Sequence, residues 1–223
     1  MLLRSAFETL QDRGGVSEFV PTSIKTLERL FEGGWIKNSD RISESFLDLA
    51  GGAELLSFFF NCYGLSTTWP NIAGAQSFVI YTGPTFYIRI NVWMPRPKRQ
   101  ENSEKVGRYL SVDECHNHSY SFFTTIIFGP GYDSTFFDAP GTSDNLLPGC
   151  KIKLSNVRGV AVRSGQLLFV RKDIEFHIQH WPDDFTVSLN LVPCRPVDCS
   201  GRQYIVDETT GVVRNAINSI FAT

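Results

Sequence analysis

The four histidines of the chain are its most informative residues, because they fall in two short groups, His116 with His118 and His177 with His180. Residues i and i+2 of a β-strand project from the same face, so one strand through the first group would present both imidazoles together. Two imidazoles on one face need only a third ligand from a neighbouring strand to hold a divalent metal ion. The spacing therefore predicts a metal site rather than ordinary hydrogen-bonded histidines.

The second group offers two candidates for the third ligand. His180 lies three residues after His177, so strand alternation turns one imidazole toward the interior of the protein and the other outward. A β-bulge between them would exchange the two roles, which keeps His180 as the alternative metal ligand.

The elements that must position these histidines change character near residue 70. Before it, apolar residues recur at helical spacing, which predicts a helical segment over residues 1–75 that packs on the remainder of the chain. Residues 76–208 contain many short apolar runs separated by turn signals, which predict a β-sandwich or barrel with the first histidine group on a strand from His116 to Phe128. Helical spacing returns at the end and predicts a C-terminal helix within residues 209–223.

Strand alternation also predicts the wall of a pocket beside the metal. The residues that share the face of the first two histidines are Tyr120, Phe122 and Thr124. An earlier strand carries a second polar and aromatic face, made of Tyr87, Arg89, Asn91 and Trp93. That face either lies in solvent or lines the pocket, where the guanidinium of Arg89 would bind an anionic group of a substrate through paired hydrogen bonds.

Composition excludes several classes of function. The net charge of −2, from 21 basic and 23 acidic residues, lacks the basic surplus of a nucleic-acid-binding protein. No apolar run approaches the roughly 18 residues of a membrane span, and the N-terminus lacks a signal peptide's apolar core, so we expect a cytoplasmic protein without a membrane partner. The five scattered cysteines are expected to be reduced thiols: Cys62, Cys115, Cys150, Cys194 and Cys199.

The segments around both histidine groups resemble the two motifs of the cupin superfamily, whose members are double-stranded β-helices, or jelly rolls, that hold a metal inside. The first motif runs from His116 to Gly129 and the second from Gly165 to Asn190, within a resemblance that covers residues 76–207. The resemblance implies a mainly β cupin jelly roll with an N-terminal helical segment. The spacing of 13 positions from His177 to Asn190 is similar to that in the last two strands of Jumonji-type cupins, which favours His177 over His180 as the ligand.

Two departures from the family pattern restrict the kinds of cupin metal site that this chain resembles. The glutamate ligand of the common cupin falls on Phe122, which cannot bind a metal, and the carboxylate position of Jumonji-type hydroxylases is occupied by His118. The remaining set of ligands is similar to that of thiol dioxygenases and diketone-cleaving dioxygenases, cupins with a neutral three-histidine iron site. This resemblance implies that His116, His118 and His177 hold Fe(II), or another divalent metal, and that Arg89 binds a substrate carboxylate.

The leading hypothesis is a mononuclear non-haem iron oxygenase, whose expected partners are O₂ and a small carboxylate-bearing molecule such as an amino acid derivative. Tyr120 would act as a proton donor or hydrogen-bonding group, and the remaining substrate contacts would come from Tyr87, Asn91, Trp93, Phe122 and Thr124. One alternative is a 2-oxoglutarate-dependent hydroxylase with Thr124 and Asn190 beside the co-substrate. Another is a metal-binding cupin isomerase or non-catalytic binding module. Two alternative roles stay open for the helical segment: it covers a mouth of the barrel, or it forms a homodimer contact.

Overall fold

The computed structural model describes residues 19–58, 76–98, 107, 110–140, 145–172, 174–193 and 202–218. Two helices come first in this part of the chain, α1 (Phe19–Glu32) and α2 (Ser39–Gly51). The strands, in chain order, are β1 (Ser77–Thr82), β2 (Phe86–Trp93), β3 (Cys115–Asn117), β4 (Phe122–Phe128), β5 (Tyr132–Asp138), β6 (Ser155–Val162), β7 (Leu168–Val170), β8 (Glu175–Gln179), β9 (Thr186–Pro193), β10 (Arg202–Val206) and β11 (Val213–Asn218).

The strands form two sheets, with the order β1-β2-β9-β4-β7 in one and β11-β10-β3-β8-β5-β6 in the other. Neighbouring strands pair in antiparallel fashion. From β3 to β5, and again from β7 to β10, each strand lies in the opposite sheet from its predecessor. This alternation between two facing sheets is the double-stranded β-helix, or jelly roll. The predicted fold class, a mainly β jelly roll preceded by helices, is confirmed.

The two helices pack on the outer face of the five-stranded sheet. Their apolar stripes include Leu27 and Phe46, both fully buried, and the sheet contributes Ile88, Ile90 and Leu189 to the same core. Fully burying each such side chain contributes about 1.5–3 kcal/mol. Since the outward face of β2 is occupied in this way, its other face must turn toward the barrel interior. No helix among the described residues is long and apolar enough to cross a membrane.

Two sequence predictions about elements are wrong. Residues 213–218 of the predicted C-terminal helix (209–223) form strand β11, which pairs with β10 at the edge of the six-stranded sheet. A short apolar pattern fits either element, and the nonlocal pairing with β10 satisfies the backbone of this segment. The predicted strand from His116 to Phe128 is two strands, because β3 and β4 belong to different sheets and the chain must turn between them.

Two cysteines lie in the described part of the chain, and both are free thiols. Cys115 is buried and Cys150 is half-buried. Burial raises the pKa of the Cys115 thiol to about 12, with smaller contributions from Glu208 and Asp207. The predictions for Cys62, Cys194 and Cys199 lie outside the described residues.

Candidate metal centre

Three imidazoles converge inside the jelly roll. His116 on β3 lies directly opposite His177 on β8, and His118 enters from the turn after β3. The Nε2 atom of His177 lies 3.1 Å from Nε2 of His116 and 3.1 Å from Nε2 of His118. Two nitrogens about 2.1 Å from one ion, at right angles to each other, are about 3 Å apart. Each of these two distances therefore fits a pair of ligands on one ion, and the ligand atoms of all three histidines lie within 4.8 Å of one another.

The surroundings of the three rings keep them in the neutral form that binds metals. Burial lowers the pKa of His116, and burial together with neighbouring imidazoles lowers the pKa values of His118 and His177 well below the ordinary range. Nδ1 of His116 lies 2.9 Å from the carbonyl oxygen of Glu114, which can only accept, so Nδ1 carries the proton and Nε2 turns its lone pair to the cluster. Among the described residues, Nδ1 of His118 and Nδ1 of His177 have no hydrogen-bond partner.

The ligand set contains no carboxylate in the described part of the chain. Phe122, at the position of the common cupin glutamate, packs edge-on against His118 with the ring centroids 4.8 Å apart. Phe136 contacts His177 on another side, at 5.1 Å between centroids. An ion held here would keep its full positive charge, since neutral imidazoles and aromatic rings are its only neighbours among these contacts.

His180 lies apart from this cluster. Its Nε2 is 2.9 Å from Oγ1 of Thr135, its Nδ1 is 3.3 Å from Oδ1 of Asp113, and its side chain is 42% exposed. Strands β5 and β8 pair in unbroken register from Asp138↔Glu175 to Ser134↔Gln179, without a bulge that would turn His180 inward. The structure therefore places His177 inside and His180 outside, as strand alternation requires.

The three imidazoles lie in the wall of a cavity of about 280 Å³. Other predicted pocket residues that line it are Arg89, Asn91, Trp93, Tyr120, Phe122, Thr124 and Asn190. Tyr87 is not among the lining residues and lies instead in the buried cluster that contains Tyr120 and Phe122. The polar face of β2, which the sequence left either in solvent or in a pocket, is thus on the inside.

Arg89 is a buried cation in this wall, only 5% exposed. Its Nη1 donates to the hydroxyl of Tyr120 at 3.0 Å, and its guanidinium lies 5.6 Å from the Tyr120 ring and 5.9 Å from the Phe122 ring. Nε of Arg89 has no hydrogen-bond partner, and no Asp, Glu or Lys lines the cavity in the described part of the chain. A guanidinium is always charged and a buried charge is costly without a partner, so this wall favours a bound anion.

Strand β5 supplies pocket residues that the sequence reasoning missed, Tyr132 and Ser134. Burial raises the pKa of the Tyr132 phenol, and Thr124 and Ser188 hydrogen-bond to it. Strand β8 supplies Gln179, which also lines the cavity. The available signal for β5 was its alternation, which puts Tyr132, Ser134 and Phe136 on one face, but the sequence did not indicate which strand β5 would pair with.

No protein-family model matches the sequence, and no curated protein matches it. Among solved structures, hydroquinone 1,2-dioxygenase from Sphingomonas sp. TTNP3 with 4-hydroxybenzoate bound is similar at 5% identity, over 55% of this chain and 68% of that chain, with a TM-score of 0.38. A cupin-2 domain protein from Shewanella frigidimarina matches at 9% identity, over 60% and 91% of the two chains, with a TM-score of 0.32.

A structure of DMSP lyases matches at 10% identity over 52% of this chain, with a TM-score of 0.32, and the match spans less than half of that chain, 46%. Identities and TM-scores this low carry no argument about activity. The strand order of this chain is that of a jelly roll. The three imidazoles and the cavity set the chemistry that the chain can support.

Proposed function

We propose that this cupin-type protein is a mononuclear non-haem iron oxygenase that acts on a small carboxylate-bearing molecule. One observation carries the proposal. Three neutral imidazoles meet in the cavity without a carboxylate among the ligands, and Arg89 is the only permanently charged side chain that lines the cavity in the described part of the chain. Iron(II) held by His116, His118 and His177 would supply open coordination positions at which a substrate and O₂ lie side by side.

Arg89 has the properties of a residue that binds and orients an anionic substrate. Tyr120 fixes one edge of the guanidinium, while Nε remains buried and unpartnered among the described residues. A planar guanidinium binds a carboxylate through two parallel hydrogen bonds, which fixes direction as well as position. A substrate carboxylate at Arg89 would also neutralise the buried charge, so binding and charge compensation favour the same ligand.

Tyr120 is the candidate for proton transfer. Its hydroxyl accepts a hydrogen bond from Arg89, which leaves its own proton available to a bound molecule, and its ring lies 5.5 Å from that of His118. A hydroxyl placed between the anion-binding residue and the metal ligands can donate to a substrate group that gains negative charge. The aromatic rings of Phe122 and Trp93 line the same cavity and would keep water away from the reacting groups.

Reconstitution and oxygen uptake test the proposal. Metal-free protein is loaded anaerobically with Fe(II), Mn(II) or Zn(II), and O₂ consumption is followed with amino acids, thiol-bearing acids and diketo acids. We expect consumption with Fe(II) alone and with at least one of these carboxylate-bearing compounds. Consumption that requires added 2-oxoglutarate would assign the hydroxylase alternative, and turnover without O₂ would assign the isomerase alternative. Metal binding without turnover of any compound would contradict the oxygenase.

A further inference from the structure

The cavity contains a second set of polar groups, separate from the three histidines and Arg89. Ser134 on β5 and Gln179 on β8 are direct cross-strand partners, 2% and 5% exposed, and both line the cavity. Oγ of Ser134 and Nε2 of Gln179 have no hydrogen-bond partner among the described residues. Buried polar side chains normally find partners, so two adjacent unpartnered groups in one cavity wall point to a ligand.

We infer that Ser134 and Gln179 form a subsite that binds an uncharged amide group of the substrate. The inference rests on the proposed function, because it adds a second contact for the molecule whose carboxylate Arg89 binds. A carbonyl oxygen would accept a hydrogen bond from Nε2 of Gln179, and the hydroxyl of Ser134 can either donate or accept.

Strand geometry places this subsite close to the metal ligands. Gln179 lies two residues after His177 on the same face of β8, so the subsite is about 7 Å along the strand from that ligand. The cavity of about 280 Å³ is close to the lower end of the range of about 300–1,000 Å³ for small-molecule sites, which suits an acid of four or five carbons.

Charge disfavours a carboxylate at this subsite, and hydrogen bonding disfavours an alkyl end. A second carboxylate would meet no basic side chain of its own, because Arg89 is the only permanently charged side chain among the described lining residues and binds the first carboxylate. An alkyl end would leave Ser134 and Gln179 unpaired. The substrate class is therefore a monoanion that also carries a neutral hydrogen-bonding group.

Matched acids test the subsite by binding alone. Zn(II)-loaded protein is titrated calorimetrically with succinamate, succinate and butyrate, and with the five-carbon set glutaramate, glutarate and pentanoate. We expect the better-fitting amide acid to bind about tenfold more tightly than its alkyl and dicarboxylate counterparts, a difference equal to about one neutral hydrogen bond. Ser134→Ala and Gln179→Leu should each remove most of this preference by weakening the binding of the amide acid, without weakening the binding of the alkyl acid.

Thr125→Val provides a matched control. Oγ1 of Thr125 is also buried and unpartnered among the described residues, but Thr125 does not line the cavity, so its removal should leave every affinity unchanged. Equal binding of amide and alkyl acids, or an equal loss of both in the two cavity variants, would overturn the subsite. Absence of binding by all six acids would overturn it together with the Arg89 site. Because this titration involves no O₂, failure of the oxygenase proposal would appear separately, as amide preference without oxygen uptake.

Discussion

His116 and His177 are register partners across the antiparallel pair of β3 and β8, and their Nε2 atoms lie 3.1 Å apart. Directly opposed residues of neighbouring strands present their side chains on one face, so this pairing alone brings two imidazoles together. The third, His118, comes from the turn in which the chain leaves the six-stranded sheet for the five-stranded one. The candidate metal centre is therefore built by a crossover of the jelly roll.

This clustering makes stability depend on pH in the metal-free protein. Burial holds the pKa values of the three histidines below the ordinary 6.5, so at pH values below 6.5 the unfolded chain binds protons that the folded chain does not. The free energy of unfolding should then fall as the pH falls from 7 to 5.5, by at most about 4 kcal/mol per pH unit for three groups. Urea unfolding at several pH values measures the slope.

One variant tests whether the buried histidines cause this effect. His118→Gln should reduce the slope, since it removes one of the buried groups. A free energy of unfolding that stays constant over this pH range would contradict the burial of three neutral imidazoles.

Arg89→Lys should lower kcat/KM for the carboxylate-bearing substrate by roughly one to two powers of ten, the effect of about 1.5–3 kcal/mol for a charge-assisted hydrogen bond. Lysine keeps the charge but loses the paired geometry, so the metal content should not change. Arg158→Lys is a suitable control: its guanidinium also lies over an aromatic ring, that of Phe136 at 5.3 Å, but it pairs with Asp138 and Glu175. An unchanged kcat/KM in Arg89→Lys would contradict the binding of the substrate carboxylate by Arg89.

Phe122→Glu should strengthen metal binding, because it places a carboxylate beside His118 at the position of the missing glutamate ligand. Phe122→Gln introduces a side chain of similar size without the charge and serves as the control. Competition with a chelator measures the dissociation constants, and we expect the Glu variant to retain the metal at chelator concentrations that strip the Gln variant. Equal retention by the two variants would place residue 122 out of reach of the ion.

Strand β2 shows what the sequence could and could not reveal. Its alternation correctly separated Phe86, Ile88 and Ile90 from Arg89, Asn91 and Trp93, because a period of two is local. Which set faces the interior depends on the helices that cover the other side of the sheet, and that packing is nonlocal. The sequence therefore predicted the membership of each face but not its environment.

The turn between β3 and β4 shows a second limit. The sequence predicted one strand through His116 and His118, although the polar residues Asn117, Ser119 and Ser121 are typical of a turn. The amide oxygen of Asn117 accepts a hydrogen bond from the backbone N–H of Tyr204 at 2.6 Å, which ties the end of β3 to β10. His118 lines the cavity, but it lies beyond the end of β3 and not within a strand.

Cys115 should resist alkylation in the folded protein. Its thiol is buried, and its pKa of about 12 leaves very little reactive thiolate at pH 8.5. Iodoacetamide labelling followed by peptide mass spectrometry should modify the half-buried Cys150 first and Cys115 only after unfolding in urea. Labelling of Cys115 at the rate of Cys150 under native conditions would contradict the burial of β3.

Metal content tests the central claim most directly. Wild-type protein and the single variants His116→Ala, His118→Ala, His177→Ala and His180→Ala are purified in parallel, checked for folding by circular dichroism, and analysed by elemental mass spectrometry after loading with one equivalent of Fe(II) and gel filtration. We predict about one ion per chain in the wild type and in His180→Ala, and loss of most of the metal in the other three folded variants. Retention of one ion per chain by all three of those variants would contradict the site.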